Sequence, residues 1–390
     1  MTGKVIHMAH FSIPAHVLLG SNALGEAGKL IRELGKKALI VTGPHVGKSP
    51  MVEELKETLT RLGLAYSIYD EISGEPTDRM VEEGVKRYRE ADCDFLIGIG
   101  GGSPLDSAKA IAAMSVSEGK IADYMGKEIA GDLPPVVAIP TTAGTGSEAT
   151  KFTVITDTET GVKMLLKGEA LIPKIAILNP EYTMDMPKAV TAATGMDALT
   201  HAIEAYTSGR ASELTDVFAV SAVGRIFTCL PLAYKNGFDA KARAEMLLAA
   251  YEAGVCINNS SVTIVHGMSR PIGALFHVPH GMSNAMLLEG ALGFVLDGAY
   301  ERFGRLARET GIAGWEESDE MASKKLMEAI AELCIELAIP SLKEYGIDEK
   351  EYMKAIDKMA TDAIASGSPG NAIKTVTKED CMRIYRAVFD

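Results

Sequence analysis

Near residue 185 the pattern of apolar residues changes, and this change limits the folds open to the chain. Before it, short apolar runs alternate with amphipathic segments. The runs indicate strands at residues 38–42, 66–69, 95–99 and 136–140. The amphipathic segments predict helices at residues 24–34, 50–62, 77–90 and 103–114. Alternation of this kind is typical of right-handed βαβ units and a parallel sheet.

Beyond Pro187 the strand signals stop, and apolar residues recur at helical spacing to the end of the chain. Just before this point, residues 152–156 and 163–167, joined by DTETG, predict an added hairpin. We therefore expect two domains. Residues 1–185 form an α/β domain with a parallel, Rossmann-like sheet, and residues 186–390 form an all-helical domain that ends in a helix at 378–388.

A glycine-rich turn follows the third predicted strand. The segment FLIGIGGGSPLDSAKA has four glycines in five positions, and Pro104 suits the first turn of the helix that follows. Glycines let the backbone approach a ligand closely, and free N–H groups at a helix start favour a phosphate. The spacing is not the ordinary GxGxxG fingerprint with a distal acid. A plain strand–helix turn is the alternative.

A second loop, AIPTTAGTGSEAT, follows the next predicted strand. Its hydroxyls alternate with glycines, which suits the pyrophosphate, ribose or nicotinamide of a dinucleotide. Alone it could equally be a turn rich in Ser and Thr. Because the carboxyl ends of parallel strands share one edge of a sheet, where ligands bind, the two loops together predict a dinucleotide site.

Four of the eight histidines of the chain lie between residues 195 and 280, and three of them combine with one aspartate into a candidate ligand set. Asp197 and His201 are four apart, which places them on one face of a helix. His266 and His280 are each followed by a glycine, where the backbone can turn tightly. Together the four side chains form a ligand set for a divalent first-row metal. The alternative is a group of hydrogen-bonded core histidines at a helix junction.

Composition excludes several classes of function. The formal net charge of −13 argues against a nucleic acid or an anionic membrane as partner. The five cysteines contain no CxxC pair, which disfavours a disulfide framework and fits a reducing cytoplasm. The N-terminus lacks the apolar core of a signal peptide, and no run approaches the roughly 20 apolar residues of a membrane span. We expect a cytoplasmic enzyme with a small-molecule substrate.

Four segments taken together resemble the iron-containing (group III) alcohol dehydrogenases. These segments are GGGSPLDSAK, PTTAGTGSE, TAATGMDALTHAIEAY and HGMSRPIGALFHVPHGMSNAMLL. The resemblance runs from about Ile13 to the last helix. It implies a dehydroquinate synthase-like architecture with the active site between the domains, and a homodimer or larger homo-oligomer. It also implies an NAD(P)-dependent oxidoreductase that binds iron, with zinc as the second choice of metal.

The resemblance also implies roles for individual residues. The positions that match the family's metal ligands are Asp197, His201, His266 and His280. Those that match its dinucleotide loop are Gly101, Gly102, Ser103 and Asp106. Those that match its second cofactor loop are Thr141, Thr142 and Thr145. Lys163, on the predicted hairpin, is similar to a family lysine near the cofactor ribose.

Two positions depart from the family pattern. Arg270 stands where the family often has histidine, so no imidazole can relay protons there. It could bridge the cleft to a carboxylate. His277 stands where the family often has Asn or another polar residue. With His280 it is a candidate catalytic residue, because an imidazole exchanges protons near neutrality. The alternative for His277 is a core histidine with satisfied hydrogen bonds.

The residue after the strand ALIVT bears on cofactor choice. The family commonly has Asp there, where it can bind the 2′-OH of the adenosine ribose and repel a 2′-phosphate. Here the residue is Gly43, and His45 and Lys48 follow in the same loop. We therefore expect NADP to be preferred and NAD to be accepted. The alternative is a simple turn glycine.

The expected reaction is hydride transfer between NADP(H) or NAD(H) and a primary alcohol or diol and its aldehyde. A glycerol dehydrogenase-like enzyme is one alternative, and a metal- and NAD-dependent lyase of the dehydroquinate synthase kind is another. Such a lyase needs several Lys and Arg near the metal, whereas residues 197–280 offer chiefly Arg210, Arg225 and Arg270. A non-enzymatic binding protein would have no use for a metal set that faces a dinucleotide loop.

Overall fold

The structure, a computed structural model, describes residues 10–390. Residues 1–9, the first part of the stretch considered for a signal peptide, lie outside the described part. The first half contains the following elements in chain order: β1 His16–Leu19, α1 Ala23–Glu26, α2 Gly28–Arg32, β2 Lys37–Val41, α3 Pro50–Arg61, β3 Ala65–Tyr69, α4 Asp78–Glu90, β4 Phe95–Gly100, α5 Gly102–Val116, β5 Val136–Pro140, β6 Phe152–Thr156, β7 Lys163–Lys167 and β8 Ile175–Leu178.

Six of these strands form one parallel sheet in the order β1-β8-β5-β4-β2-β3. The sheet is covered on both faces. Leu39 and Val41 of β2 pack into one apolar cluster, and Ala38 and Ile40 pack into another. A strand buried on both sides is apolar along its whole length, which is why the sequence shows continuous runs. The predicted parallel sheet is confirmed.

Two strands of the sheet, β1 and β8, were not predicted. Each has only four residues, which is too short to show a periodicity. Three of the four residues of β1 are also exposed, because this strand is an edge of the sheet. The predicted hairpin is confirmed: β6 and β7 pair antiparallel, with Thr156 opposite Lys163.

The second half is helical. Its elements are α6 Lys188–Tyr206, α7 Glu213–Lys235, α8 Ala240–Asn259, α9 Ile264–Phe276, α10 His280–Val295, α11 Tyr300–Glu309, α12 Asp319–Glu336, α13 Glu349–Ala365 and α14 Lys378–Ala387. Local signals define several helix starts. The side chains of Ser212, Asp239 and Thr377 accept hydrogen bonds from the first turns of α7, α8 and α14. One continuous apolar core joins these helices.

By length and composition alone, α7 is able to cross a membrane, with a mean hydropathy of 1.6 over its most apolar window. The sequence expectation included no such segment, because charged residues interrupt the apolar run. In the fold, Val223 and Leu230 are fully buried in the helical core, and Asp216 pairs with Arg302 of α11 at 2.6 Å. This packing accounts for the apolar residues on one face of α7, whereas Leu214, Val217 and Leu232 of the same helix are exposed.

The two halves are in contact beside the loop that follows β5. A Cβ atom on Gly146 would lie 2.5 Å from the Cα atom of Gly254 in α8, so only glycine permits this approach. Gly146 also has a φ of +61°, which favours glycine. Close by, the side chain of Asn258 in α8 accepts a hydrogen bond from the backbone N–H of Lys151 at 2.8 Å. These contacts fix the loop against the helical half.

Candidate active site

The four predicted metal ligands converge. Asp197 and His201 lie one turn apart on α6, His266 lies in the first turn of α9, and His280 is the first residue of α10. Their ligand atoms all lie within 4.8 Å of one another. Oδ1 of Asp197 is 3.9, 3.6 and 3.7 Å from Nε2 of His201, His266 and His280. Four ligands around a tetrahedral ion lie about 3.3 Å apart, so this group could hold a divalent metal with a small contraction.

The glycines that follow His266 and His280 have a packing role. Both lie inside helices, so the tight turn expected from the sequence is wrong. A Cβ atom on Gly281 would lie 2.4 Å from the carbonyl oxygen of Ala193 on α6. On Gly267 it would lie 2.6 Å from Cδ of Pro369. The missing side chains let the start of α10 approach α6, and let the loop before α14 approach α9.

Glu204 orients one of the imidazoles. It lies on α6, seven residues after Asp197, and its Oε2 accepts a hydrogen bond from Nδ1 of His266 at 2.6 Å. Its Oε1 accepts from the hydroxyl of Thr263 at 2.8 Å and from the N–H of Val265 at 2.6 Å. A carboxylate behind a histidine is a common arrangement at metal sites, where it fixes the tautomer. Sequence reasoning missed Glu204, although the spacing 197, 201, 204 follows one helix face.

Asn284 is the second residue that the sequence did not reveal. It lies one turn after His280 on α10, and its Nδ2 is 2.7 Å from Oδ1 of Asp197. The same nitrogen is 3.1 Å from Nε2 of His266 and 3.3 Å from Nε2 of His280. Its Oδ1 is buried and has no hydrogen-bond partner among the described residues. The amide therefore lies among the ligand atoms and contacts three of them.

Electrostatics favour the metal-binding protonation state at three of the four ligands, namely Asp197, His201 and His280. Burial lowers the pKa of His201 to about 4 and that of His280 to about 3, so both imidazoles are neutral at pH 7. Burial opposes ionisation of Asp197, but His201 and His280 hold its pKa below the usual range. His266 differs, because Glu204 raises its pKa against the effect of burial. A metal needs an ionised carboxylate and neutral imidazoles.

The two glycine-containing loops lie side by side, as the sequence predicted. They follow the neighbouring strands β4 and β5, and the N–H of Thr141 donates to the carbonyl of Gly100 at 2.8 Å. A Cβ atom on Gly101 would lie 3.5 Å from Thr142, and one on Gly102 would lie 2.9 Å from Thr145. The first of these loops runs into the start of α5, which has no side-chain cap, so its first N–H groups are free to bind a ligand.

Asp106 connects this site to its surroundings. Its Oδ1 accepts a hydrogen bond from the hydroxyl of Ser147 at 2.5 Å, and its Oδ2 accepts from the N–H of Val154 at 2.8 Å. The ammonium of Lys109 lies 3.8 Å away and donates to the carbonyl of Phe152 at 2.8 Å. The carboxylate thus joins α5 to the second loop and to the hairpin.

Comparison with known families covers nearly the whole chain. A family model described as iron-containing alcohol dehydrogenase matches residues 14–180. A second, described as the C-terminal part of the Fe-containing alcohol dehydrogenase family, matches residues 191–389. The chain belongs to the iron-containing alcohol dehydrogenase family.

Individual relatives of this family agree along their whole length. The NAD-dependent methanol dehydrogenase of Bacillus methanolicus is 36% identical over 384 residues, which cover 97% of this chain and 99% of the relative. The NADPH-dependent butanol dehydrogenase of Clostridium saccharobutylicum is 32% identical, with 98% of both chains covered. A crystal structure of 1,3-propanediol oxidoreductase is 34% identical, with a TM-score of 0.94 over 98% of this chain and 100% of that one. The expected metal-dependent oxidoreductase of alcohols or diols, with NAD(P) as cofactor, is confirmed.

Two further residues of this iron-containing alcohol dehydrogenase, Lys163 and Gly43, were assigned to the cofactor from the sequence. Lys163, on β7, pairs with Glu75 at 2.6 Å, and its ammonium is 3.9 Å from where a Cβ atom on Gly273 of α9 would lie. It therefore reaches from the first half toward the second. Gly43 lies where β2 ends, and a Cβ atom there would be 2.8 Å from the carbonyl oxygen of Ile72. Gly43 thus has a packing role in addition to lacking a charge.

The structure corrects both alternatives for the residues that depart from the family pattern. His277 is exposed and ends α9 in the left-handed conformation, with a φ of 55°, so its reading as a core histidine is wrong. The bridge from Arg270 to a carboxylate is also wrong. Among the described residues no carboxylate oxygen lies within 4.0 Å of its guanidinium, whose one hydrogen bond goes to Ser368 at 3.1 Å.

Proposed function

We propose that this enzyme interconverts a primary alcohol or diol and its aldehyde with Fe(II) and NADP(H), and that Asp197, His201, His266 and His280 hold the metal. The observation that carries this proposal is the convergence of the four ligand atoms within 4.8 Å. The dinucleotide loops are adjacent. A Cβ atom on Gly144 in the second loop would lie 2.6 Å from Thr194, three residues before Asp197.

The donor set fits a divalent first-row ion. One ionised carboxylate and neutral imidazoles suit iron or zinc, and membership of an iron-containing family favours iron. When bound, the metal supplies a Lewis acid that polarises the oxygen of the substrate. Glu204 holds His266 in the tautomer whose Nε2 faces Asp197. Gly281 keeps His280 close to α6.

The cofactor carries the hydride chemistry, and the chain positions it. We assign the pyrophosphate to the start of α5, where Gly101, Gly102 and Ser103 present backbone N–H groups. The hydroxyls of Thr141, Thr142 and Thr145 lie along the neighbouring loop. We assign the contact with the ribose to Lys163 on the hairpin, and the extension of its ammonium toward α9 supports this. Asp106 positions this loop through Ser147.

His277 is our candidate for proton exchange with solvent. It is exposed and lies three residues before His280 at the end of α9. A neutral imidazole can take a proton from the substrate hydroxyl during oxidation and return one during reduction. His280 contributes as a ligand of the metal.

The preference for NADP rests on the loop between β2 and α3. Gly43 adds no negative charge beside the adenosine ribose, and the exposed His45 and Lys48 lie in the same loop. Asp70 opposes this preference, because its negative charge lies beside the same loop. Its side chain packs 2.9 Å from where a Cβ atom on Gly47 would lie. The named relatives include an NAD-dependent and an NADPH-dependent enzyme.

The reaction is tested by loading the protein with Fe(II) or Zn(II) and following the absorbance of NADPH or NADH with butanal as oxidant. A dehydrogenase consumes one reduced cofactor for each aldehyde. A lyase that uses the nucleotide transiently leaves the absorbance unchanged, and this result would overturn the proposal. A panel of alcohols, diols and aldehydes then ranks the substrates.

Assembly and location complete the proposal. We expect a homo-oligomer with a dimer as its unit, and a cytoplasmic location, in keeping with five free cysteines. Several large apolar side chains of the helical half are exposed and could be covered by a second copy, among them Leu214, Val217, Leu232 and Phe238. Light scattering that gives 41.5 kDa at micromolar concentration would contradict an oligomer.

A further inference from the structure

Arg270 lies beside the metal ligands without being one of them. It follows His266 by four residues on α9, so the two side chains project from the same face of the helix, one turn apart. A positive charge therefore lies on the face of α9 that carries His266, one of the proposed metal ligands.

Most hydrogen-bond donors of this guanidinium are free. Arginine has five N–H groups, and Arg270 uses Nη1 alone within the described chain, to Ser368 at 3.1 Å. Burial lowers the pKa of Arg270, and the negative charge of Glu204 opposes this effect. The oxygens of Glu204, however, already accept hydrogen bonds from His266, Thr263 and Val265. A partly buried guanidinium without an anionic partner is costly unless something else supplies the oxygens.

The chain holds Arg270 in place from behind. Ser368 is buried in the loop before α14, and this loop approaches α9 because Gly267 has no side chain to meet Pro369. The loop is itself anchored, since the side chain of Asn371 donates to the hydroxyl of Ser261 at 2.7 Å and to the carbonyl of Val262 at 3.1 Å. Arg270 is thus fixed through one nitrogen while the others remain available.

We propose that Arg270 selects substrates with an anionic end, namely an aldehyde or alcohol that carries a carboxylate or a sulfonate. The inference rests on the proposed function, because it concerns the other end of the molecule whose oxygen meets the metal. A planar guanidinium binds such groups through two parallel N–H···O bonds. An uncharged alcohol of the same length would leave these donors unpaired.

The test compares 4-oxobutanoate with pentanal, which have similar lengths and differ by one carboxylate. The enzyme is expected to favour 4-oxobutanoate in kcat/KM by about 10- to 100-fold, the range for hydrogen bonds to a charged group. Arg270→Met should abolish this preference, so that the ratio of the two kcat/KM values falls to about 1. Arg270→Lys, which retains the charge and loses the fork, should fall between them. Arg305→Met, at an exposed arginine of α11, is the matched control and should change neither rate.

Binding supplies a readout that does not depend on turnover. Calorimetry of the metal-free protein should show binding of butanoate and of ethanesulfonate, and should show none for butan-1-ol at the same concentrations. Separate titrations with the two anions decide between carboxylate and sulfonate. Both affinities should fall about 10-fold or more in Arg270→Met. Circular dichroism checks that the variants fold, and the wild-type comparison of anion with alcohol needs no variant.

The outcomes separate the two proposals. If wild type reduces both aldehydes at equal kcat/KM and neither anion binds, the inference about Arg270 is wrong and the dehydrogenase function stands. If neither aldehyde is reduced, the proposed function is in error, and the anion titrations still decide whether Arg270 forms an anion site. Equal anion affinity in wild type and Arg270→Met would also overturn the inference.

Discussion

Oε2 of Glu204 and Nδ1 of His266 lie 2.6 Å apart, deep in the helical half, and this hydrogen bond directs Nε2 of His266 toward Asp197. We predict that Glu204→Gln weakens metal binding about 10- to 100-fold, because an amide can present an N–H to Nδ1 and favour the wrong tautomer. Metal content after dialysis against a graded chelator measures the change.

Glu252→Gln is the control for this variant. Glu252 is also buried, but it lies on α8 and pairs with Ser221 and Arg225, away from the ligand atoms. It should alter stability without altering metal affinity. Equal metal retention in wild type and Glu204→Gln would show that Glu204 serves packing alone.

Removal of a ligand should have a larger effect. His266→Ala or His280→Ala leaves three of the four groups, which hold a labile ion poorly, so most of the bound metal and most of the activity should be lost. Metal analysis of the purified variants and turnover with butanal measure both effects. His45→Ala, at an exposed histidine of the first half, should retain its metal. Full metal content together with full turnover in either ligand variant would show that the assignment is wrong.

Stability should depend on pH through Glu148. This residue is buried near the end of the second loop, its Oε1 has no partner among the described residues, and burial raises its pKa from 4.5 to about 7. Between these values the unfolded chain releases a proton that the folded protein keeps, so the free energy of unfolding falls as pH rises. The loss amounts to about 3 kcal/mol by pH 7 and above.

Glu148→Gln should remove this loss, so the variant is expected to be more stable than wild type at pH 8 and closer to it at pH 5. Urea unfolding at several pH values measures the difference. Glu159→Gln serves as the control, because Glu159 is exposed in the hairpin turn. The same slope between pH 5 and 7 in wild type and Glu148→Gln would contradict the prediction.

His277 offers a test of proton exchange. The residue has a φ of 55°, a conformation that Asn tolerates better than Ala does. If the imidazole relays protons, His277→Asn and His277→Ala should both slow turnover and change its dependence on pH. If His277 only ends the helix, the Asn variant should behave as wild type, and the Ala variant should lose stability alone. The pH–rate profile and the melting temperature together distinguish these results.

The sequence was sufficient to predict features that depend on residue types with few structural roles, such as clustered histidines and glycines. Asp197 and His201 at helical spacing, with two further histidines that are each followed by glycine, predicted the ligand set, and glycines after two strands predicted adjacent loops. It was insufficient where the role depends on a distant partner. Glu204 is an ordinary acid on a helix until the fold brings His266 to it, 62 positions later in the chain. The strands β1 and β8 were missed because four residues show no period, and pairing across the sheet defines them.

The last prediction concerns the nicotinamide cofactor and position 43. Wild type should favour NADPH over NADH in kcat/KM. Gly43→Asp adds a charge near the ribose, but any side chain there also meets the carbonyl oxygen of Ile72 at 2.8 Å. Gly43→Ala introduces the same close contact of a Cβ atom with Ile72 but no charge, so it is the proper reference. Relative to Gly43→Ala, the aspartate should cost the NADPH reaction about 1–3 kcal/mol and spare the NADH reaction.

Two surrounding variants extend this test of NADPH preference. Lys48→Met removes an exposed positive charge of the loop and should lower the kcat/KM ratio of NADPH to NADH. Asp70→Asn removes the carboxylate that packs beside Gly47 and should raise it. These opposite shifts are expected because the negative 2′-phosphate of NADPH is attracted by Lys48 and repelled by Asp70, whereas NADH has no such phosphate. A tenfold preference of wild type for NADH, or the same ratio in Gly43→Asp and Gly43→Ala, would remove the basis for the choice of NADP.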